Sequence, residues 1–130
     1  MENSRFKFRA WDQFNAVFYY SDNYKNLSEF FKAVQNCIDG GNHIVMQEYT
    51  GLKDKDKNRK DIYEGDIVSP AMVNGSLVLA EVIWSDKLSM YMVRSICKYC
   101  KESTELFFQN NIEVIGNVFE NPELLEVERG

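Results

Sequence analysis

Asn74-Gly75, set between Met72-Val73 and the run from Leu77 to Trp84, constrains this chain more than any other local feature. A two-residue turn of the type that joins antiparallel strands needs left-handed backbone at both positions, which Asn and Gly adopt at little cost. The pair therefore predicts a hairpin and excludes a helix through its flanks. The same punctuation recurs on both sides. Asp66-Ile67-Val68 reads as a strand stopped by Pro70, which cannot donate to a sheet ladder. Ser85-Asp86-Lys87 turns the chain again, and Met90 to Ile96, Glu105 to Phe108 and Ile112 to Phe119 follow as short strands, with Asn110-Asn111 as a further turn.

The N-terminal half mixes both periodicities. Phe6, Phe8 and Ala10 alternate with Lys7 and Arg9, the pattern of a strand with one buried and one wet face. Asp12 to Asn15 can turn the chain back into Ala16 to Tyr20, giving an N-terminal hairpin. Asn26 followed three residues later by Glu29 matches a capping box with Asn as the cap. Phe30, Phe31, Val34, Cys37 and Ile38 recur at helical spacing, and Gly40-Gly41 can end that helix. His43 to Tyr49 reads as a strand, and Thr50 to Lys60, apolar only at Leu52, as a solvated loop. Asn121-Pro122-Glu123 places a cap, a first-turn proline and a negative charge in helix-starting order, so a short C-terminal helix through Leu125 follows. The expected class is mainly β, a β-rich α+β fold. Its expected parts are a small curved sheet or SH3-like barrel in the C-terminal half, an N-terminal hairpin, one internal helix and a short C-terminal helix. Nothing resembling a linker or repeat divides residues 1–130, and a single domain is expected.

Composition narrows the function classes. Apolar residues make up 45% of the 130 residues and charged ones 27%, enough burial to fold without disulfides or metal. The aromatic share, 14%, suits a pleated surface. A net charge of −5 repels phosphate backbones and anionic membranes, so nucleic acid is a disfavoured partner and a membrane is not expected. With no leader-like or bilayer-spanning stretch, the expected location is the cytoplasm. Cys37, Cys97 and Cys100 are read as reduced thiols.

Few constellations suggest chemistry. Cys97-Lys-Tyr-Cys100 has the spacing of a metal knuckle or redox pair, and Cys37 with His43 would be needed to complete a zinc site, but these two sit six residues apart across a helix end. Asp54, Asp56 and Asn58 alternate like the start of a calcium loop, yet Arg59 stands where a sharp turn needs Gly, and Gly65 where a bidentate Glu is needed. Lys53, Lys55, Lys57, Arg59 and Lys60 form a basic run diluted by Asp54, Asp56 and Asp61. His43, the sole histidine, has no recognisable nucleophile beside it. No catalytic residue, metal ligand or cofactor is assigned.

Four blocks together resemble the YopX family: Phe8-Arg-Ala-Trp11-Asp12, Gln47-Glu-Tyr49-Thr50-Gly51-Leu52-Lys53-Asp54, Ile62-Tyr63-Glu64-Gly65-Asp66-Ile67-Val68, and Val114-Ile-Gly116-Asn117-Val-Phe119-Glu120-Asn121-Pro122. With Leu125 they cover almost the whole chain. The resemblance implies a phage or prophage protein of mostly β fold with a small barrel-like part and no established biochemical activity. Two departures stand out. Asn58-Arg59 replaces the Asn-Gly that members usually carry before the Lys preceding Ile-Tyr-Glu-Gly-Asp, and Cys97-Lys-Tyr-Cys100 is outside the family pattern.

Trp11, Tyr49, Trp84 and Phe119 are expected as core or barrel-end aromatics, and Gly65-Asp66 as a turn entering a strand. A functional surface is expected where polar and aromatic family positions meet, at Trp11, Asp12, Gln47, Tyr49, Thr50, Tyr63, Glu64 and Asp66. The expected role is a non-enzymatic module binding a host or phage protein, or a second copy of itself. A nucleic-acid accessory protein is the alternative, and an enzyme stands third.

Overall fold

The computed structural model describes residues 6–55, 59–96 and 102–129. The chain folds as two compact units, Met1–Tyr49 and Thr50–Gly130.

In the first unit, β1 (Phe8–Asp12) and β2 (Val17–Tyr20) form the expected hairpin, and β3 (Ile44–Lys53) begins here on the other side of β1. Both neighbours of β1 are antiparallel, with Trp11 opposite Phe18 on one side and Val45 on the other. Helix α1 (Leu27–Asp39) starts as its sequence requires, with the Asn26 side chain accepting from Glu29 N–H at 2.9 Å. It ends at Gly40-Gly41, where Gly41 takes a φ of 97°. Phe30 and Val34 pack on Ala10, joined by Phe8, Tyr19, Tyr24 and Ile44. Full burial of a ring such as Phe30 stabilises by roughly 1.5–3 kcal/mol.

The wet face expected for β1 is absent: Lys7 and Arg9 are buried. The Arg9 guanidinium lies 4.4 Å from the centre of the Phe18 ring, and the Lys7 ammonium lies 4.9 Å from that of Tyr49. Long aliphatic stems and cation–π contacts make a charged residue compatible with a covered face, so alternation marked two faces correctly but not which one meets water.

β3 continues to Lys53, into the stretch expected to be a loop. The Thr50 hydroxyl explains this, donating to the carbonyl of Ile62 in β4 (Asp61–Tyr63) at 2.7 Å and accepting from Leu52 N–H at 3.2 Å. A β-branched residue satisfied in this way favours a strand where composition suggested solvent. The loop's Asp54 is also buried, its carboxylate accepting from Lys60 N–H and Val114 N–H at 2.9 Å each. Asp56, Lys57 and Asn58 lie outside the described residues.

The second unit is built on a curled five-stranded antiparallel sheet, so the chain is a β-rich α+β fold. Its strands are β5 (Asp66–Val73), β6 (Ser76–Ser85), β7 (Met90–Ser95), β8 (Ser103–Glu105) and β9 (Glu113–Asn117), in the order β8-β7-β6-β5-β9. Asn74 and Gly75 join β5 to β6 with φ of 50° and 82°, the pair of left-handed residues the sequence predicts. Val68, Ala71, Val73, Ala80, Val82 and Val93 form the core with Ile62, Leu106 and Ile112.

Three boundaries differ from expectation. Pro70 does not stop β5, because the pairing register with β6 shifts between Val68 and Ala71 and asks no N–H of the proline. Leu106–Phe108 is a 3-10 turn, leaving β8 with only three residues. Helix α2 (Pro122–Arg129) runs past Leu125, and Asn121 turns its side-chain oxygen to Asn117 N–H at 3.1 Å.

Candidate functional site

In the first unit, consecutive β1 residues point to opposite faces, so Trp11 and Asp12 part company. The buried Trp11 ring meets Phe18 at a centroid distance of 4.9 Å. Gln47, also buried, accepts from the Arg9 Nε–H at 2.7 Å. Tyr49 is buried and lies under the Lys7 ammonium.

Asp12 has no exposed surface. Its Oδ1 accepts from Phe14 N–H at 3.0 Å and Asn15 N–H at 3.1 Å, while Oδ2 accepts from Asn15 Nδ2 at 2.9 Å, Tyr19 Oη at 2.9 Å and Asn42 Nδ2 at 3.0 Å. Burial alone would raise the pKa of this carboxyl. The donors, Asn15 foremost, outweigh it and hold the value at about 2. The same contact pushes the Tyr19 phenol above its ordinary value, with burial adding to the shift. A carboxylate held ionised by five donors is a poor proton acceptor, and it organises the β1-β2 turn instead.

In the second unit, Tyr63 and Asp66 are buried, and Thr50 and Glu64 half-buried. Asp66 accepts from Tyr63 N–H at 2.8 Å, closing the tight turn that the sequence predicts around Gly65, whose φ is 90°. Gly65 itself donates to the Val82 carbonyl and accepts from Val118 N–H. Each group of candidate residues is therefore engaged inside its own unit, and six of the eight side chains are buried.

Among the described residues no cluster of three or more His, Cys, Asp or Glu could hold a metal ion. Cys97 and Cys100 lie outside those residues. No helix in the described residues is long and apolar enough to cross a membrane.

The surface that residue patterns missed lies in the second unit. Phe107 and Phe108, read as strand residues, sit in the 3-10 turn with 57% and 66% of their surface exposed and ring centroids 4.3 Å apart. Gln109, next in the chain, grips the main chain of Met72: its Oε1 accepts from Met72 N–H and its Nε2 donates to Met72 O, both at 2.9 Å. This brings the Phe pair to the Asn74-Gly75 end of the β5-β6 hairpin. There Met72 and Leu77, directly opposite in register, are 48% and 64% exposed. The sequence did hold one signal: adjacent residues of a strand face opposite ways, so two consecutive Phe cannot both enter one core.

This is a β-rich α+β protein in which Asp12 and Asp66 serve turns, Thr50 ties β3 to β4, and four of the exposed apolar side chains, Met72, Leu77, Phe107 and Phe108, lie near one hairpin tip. The family model described as YopX protein matches residues 7–126, and the chain belongs to the YopX family. No curated protein matches it.

Proposed function

We propose that this YopX-family domain is a non-enzymatic protein-binding module that works in the cytoplasm of a bacterial host, encoded by a phage or prophage. The observation carrying this reading is the exposed apolar set Phe107, Phe108, Met72 and Leu77 around the Gln109 clamp. Large aromatics held on a short turn lose little conformational freedom on binding, which suits them as anchors in a partner's pocket. Exposed large apolar side chains brought near one another on a folded protein suit an interaction surface.

The eight polar and aromatic family positions support a different role within the same reading. Asp12 and Asp66 hold turns through their backbone donors, Thr50 ties β3 to β4, and Gln47 engages Arg9. A nucleic-acid accessory role has less support. In the basic run, Lys53 is ion-paired with Asp61 and Lys55 donates to Asn111 at 2.9 Å, which leaves fewer cations for phosphates.

The test is affinity capture from bacterial host lysate with the wild-type chain and with a Phe107→Ser/Phe108→Ser variant, alongside thermal melts of both. A binding module predicts specific polypeptides on the wild type that vanish from the variant while melting is preserved. Identical captures from the two proteins, or nothing above the resin control, would remove the reading.

A further inference from the structure

β5 pairs with β6 as far as Val73, but its pairing with β9 ends at Ser69. Among the described residues, no strand lies against residues 70–73 on the β9 side. An uncovered strand edge is a template for another chain, because its outward N–H and C=O groups can extend the sheet.

Two features close this edge. Met72 sits opposite Leu77 in the β5-β6 ladder, yet both its main-chain groups bond Gln109, so they point away from β6. Pro70, inside the register shift two residues back, has no N–H to offer a strand on either side. The Gln109 carboxamide is chemically a peptide group on a side chain. With one donor and one acceptor it makes the pair of bonds that a residue of an incoming strand would make.

We propose that Gln109 is an edge guard, whose carboxamide keeps a second copy of this chain from adding to β5 at Met72. The surroundings show why a guard is needed. Exposed Met72, Leu77, Phe107 and Phe108 flank the edge, so a strand that docked there would also bury apolar surface, at roughly 25 cal/mol per Å². Pro70 withholds a donor permanently, whereas Gln109 occupies Met72 reversibly. The guard acts whether or not Phe107 and Phe108 bind another protein.

Sedimentation velocity of the full chain over a range of concentrations tests this with three proteins: wild type, Gln109→Ala, and Gln109→Ala/Met72→Lys. Gln109→Ala is expected to show a weight-average mass rising towards about twofold that of the wild type at the same concentration, as a two-fold edge pairing requires. The double variant should return to wild-type behaviour, since a charged side chain beside the edge disfavours strand addition. Equal sedimentation of wild type and Gln109→Ala overturns the proposal. So does association of the double variant as strong as that of the single one, which is also the outcome if the substitution merely unfolds the chain. Residue-resolved hydrogen exchange on the wild type gives an independent arm: the Met72 amide should be protected in the dilute protein, and exchange as fast as in a free peptide sinks the guard.

Discussion

Tyr19 donates its phenol hydrogen to Oδ2 of Asp12 at 2.9 Å, tying the end of β1 to the returning strand through a carboxylate with no exposed surface. The contact is the first cause of the rise in Tyr19, and in Asp12 it joins the stronger Asn15 donors that together outweigh burial and lower the carboxyl. The folded Asp12 pKa of about 2 lies below the ordinary 3.8, so the stability it contributes is complete above 3.8 and disappears as pH falls towards 2. Tyr19 is raised, so its contribution is complete below the ordinary 10.0 and disappears as pH climbs beyond it. Thermal melts across pH are expected to show an acid loss that is smaller in Asp12→Asn and an alkaline loss that is smaller in Tyr19→Phe. Acid profiles that run parallel in wild type and Asp12→Asn would disprove the assignment to Asp12.

Gly116 leaves no room for a side chain. A Cβ there would stand 2.6 Å from Asn121 Oδ1 and 3.1 Å from Leu124 Cδ1, and the Asn121 oxygen is already fixed by Asn117 N–H. Gly116→Ala is expected to cost about 1–3 kcal/mol in urea denaturation, the range for forcing an extra methyl into a packed site. A variant as stable as the wild type would mean that the start of α2 moves away freely.

Gln47→Ala removes the acceptor of the Arg9 Nε–H inside a buried face. Loss of one partner from a buried hydrogen bond to a charged group costs about 1–3 kcal/mol. The variant should therefore melt lower than the wild type even if it still captures partners. Unchanged melting with lost capture would reverse this, marking Gln47 as a contact residue.

At the β5-β6 tip, Gly75 has a φ of 82° and open space where a Cβ would sit. Gly75→Ala meets no clash and pays only for left-handed backbone, about 1 kcal/mol. Gly75→Val should cost more, since a branched Cβ resists that conformation further. Equal losses for the two would show that the tip changes turn type rather than bearing the strain.

Local chemistry placed most elements. Asn26 at the start of α1, Gly41 past its end, and Asn74-Gly75 between β5 and β6 act through their own side chains and φ angles, so reading a few neighbouring residues was enough. The Asp66 turn was legible for the same reason, because its bond to Tyr63 N–H spans three residues. Expectations failed where the deciding partner lay far along the chain. Thr50 belongs to a strand because of the Ile62 carbonyl, twelve residues on, and Asp54 is buried because Val114, sixty residues on, needs an acceptor.

The candidate site divides along the same line. Sequence by itself determined the β-rich class and the hairpin turns, which follow from short-range periodicity and backbone preference, and the family, which follows from four matching blocks of residues. Only the tertiary structure decided that Arg9 and Gln47 share a covered face while Phe107 and Phe108 stand in solvent. Burial depends on which surfaces meet when distant strands pair, and no local pattern of apolar and polar residues encodes that meeting. The Gln109 clamp on Met72 is the clearest instance: thirty-seven residues separate a side-chain amide from the strand edge it occupies.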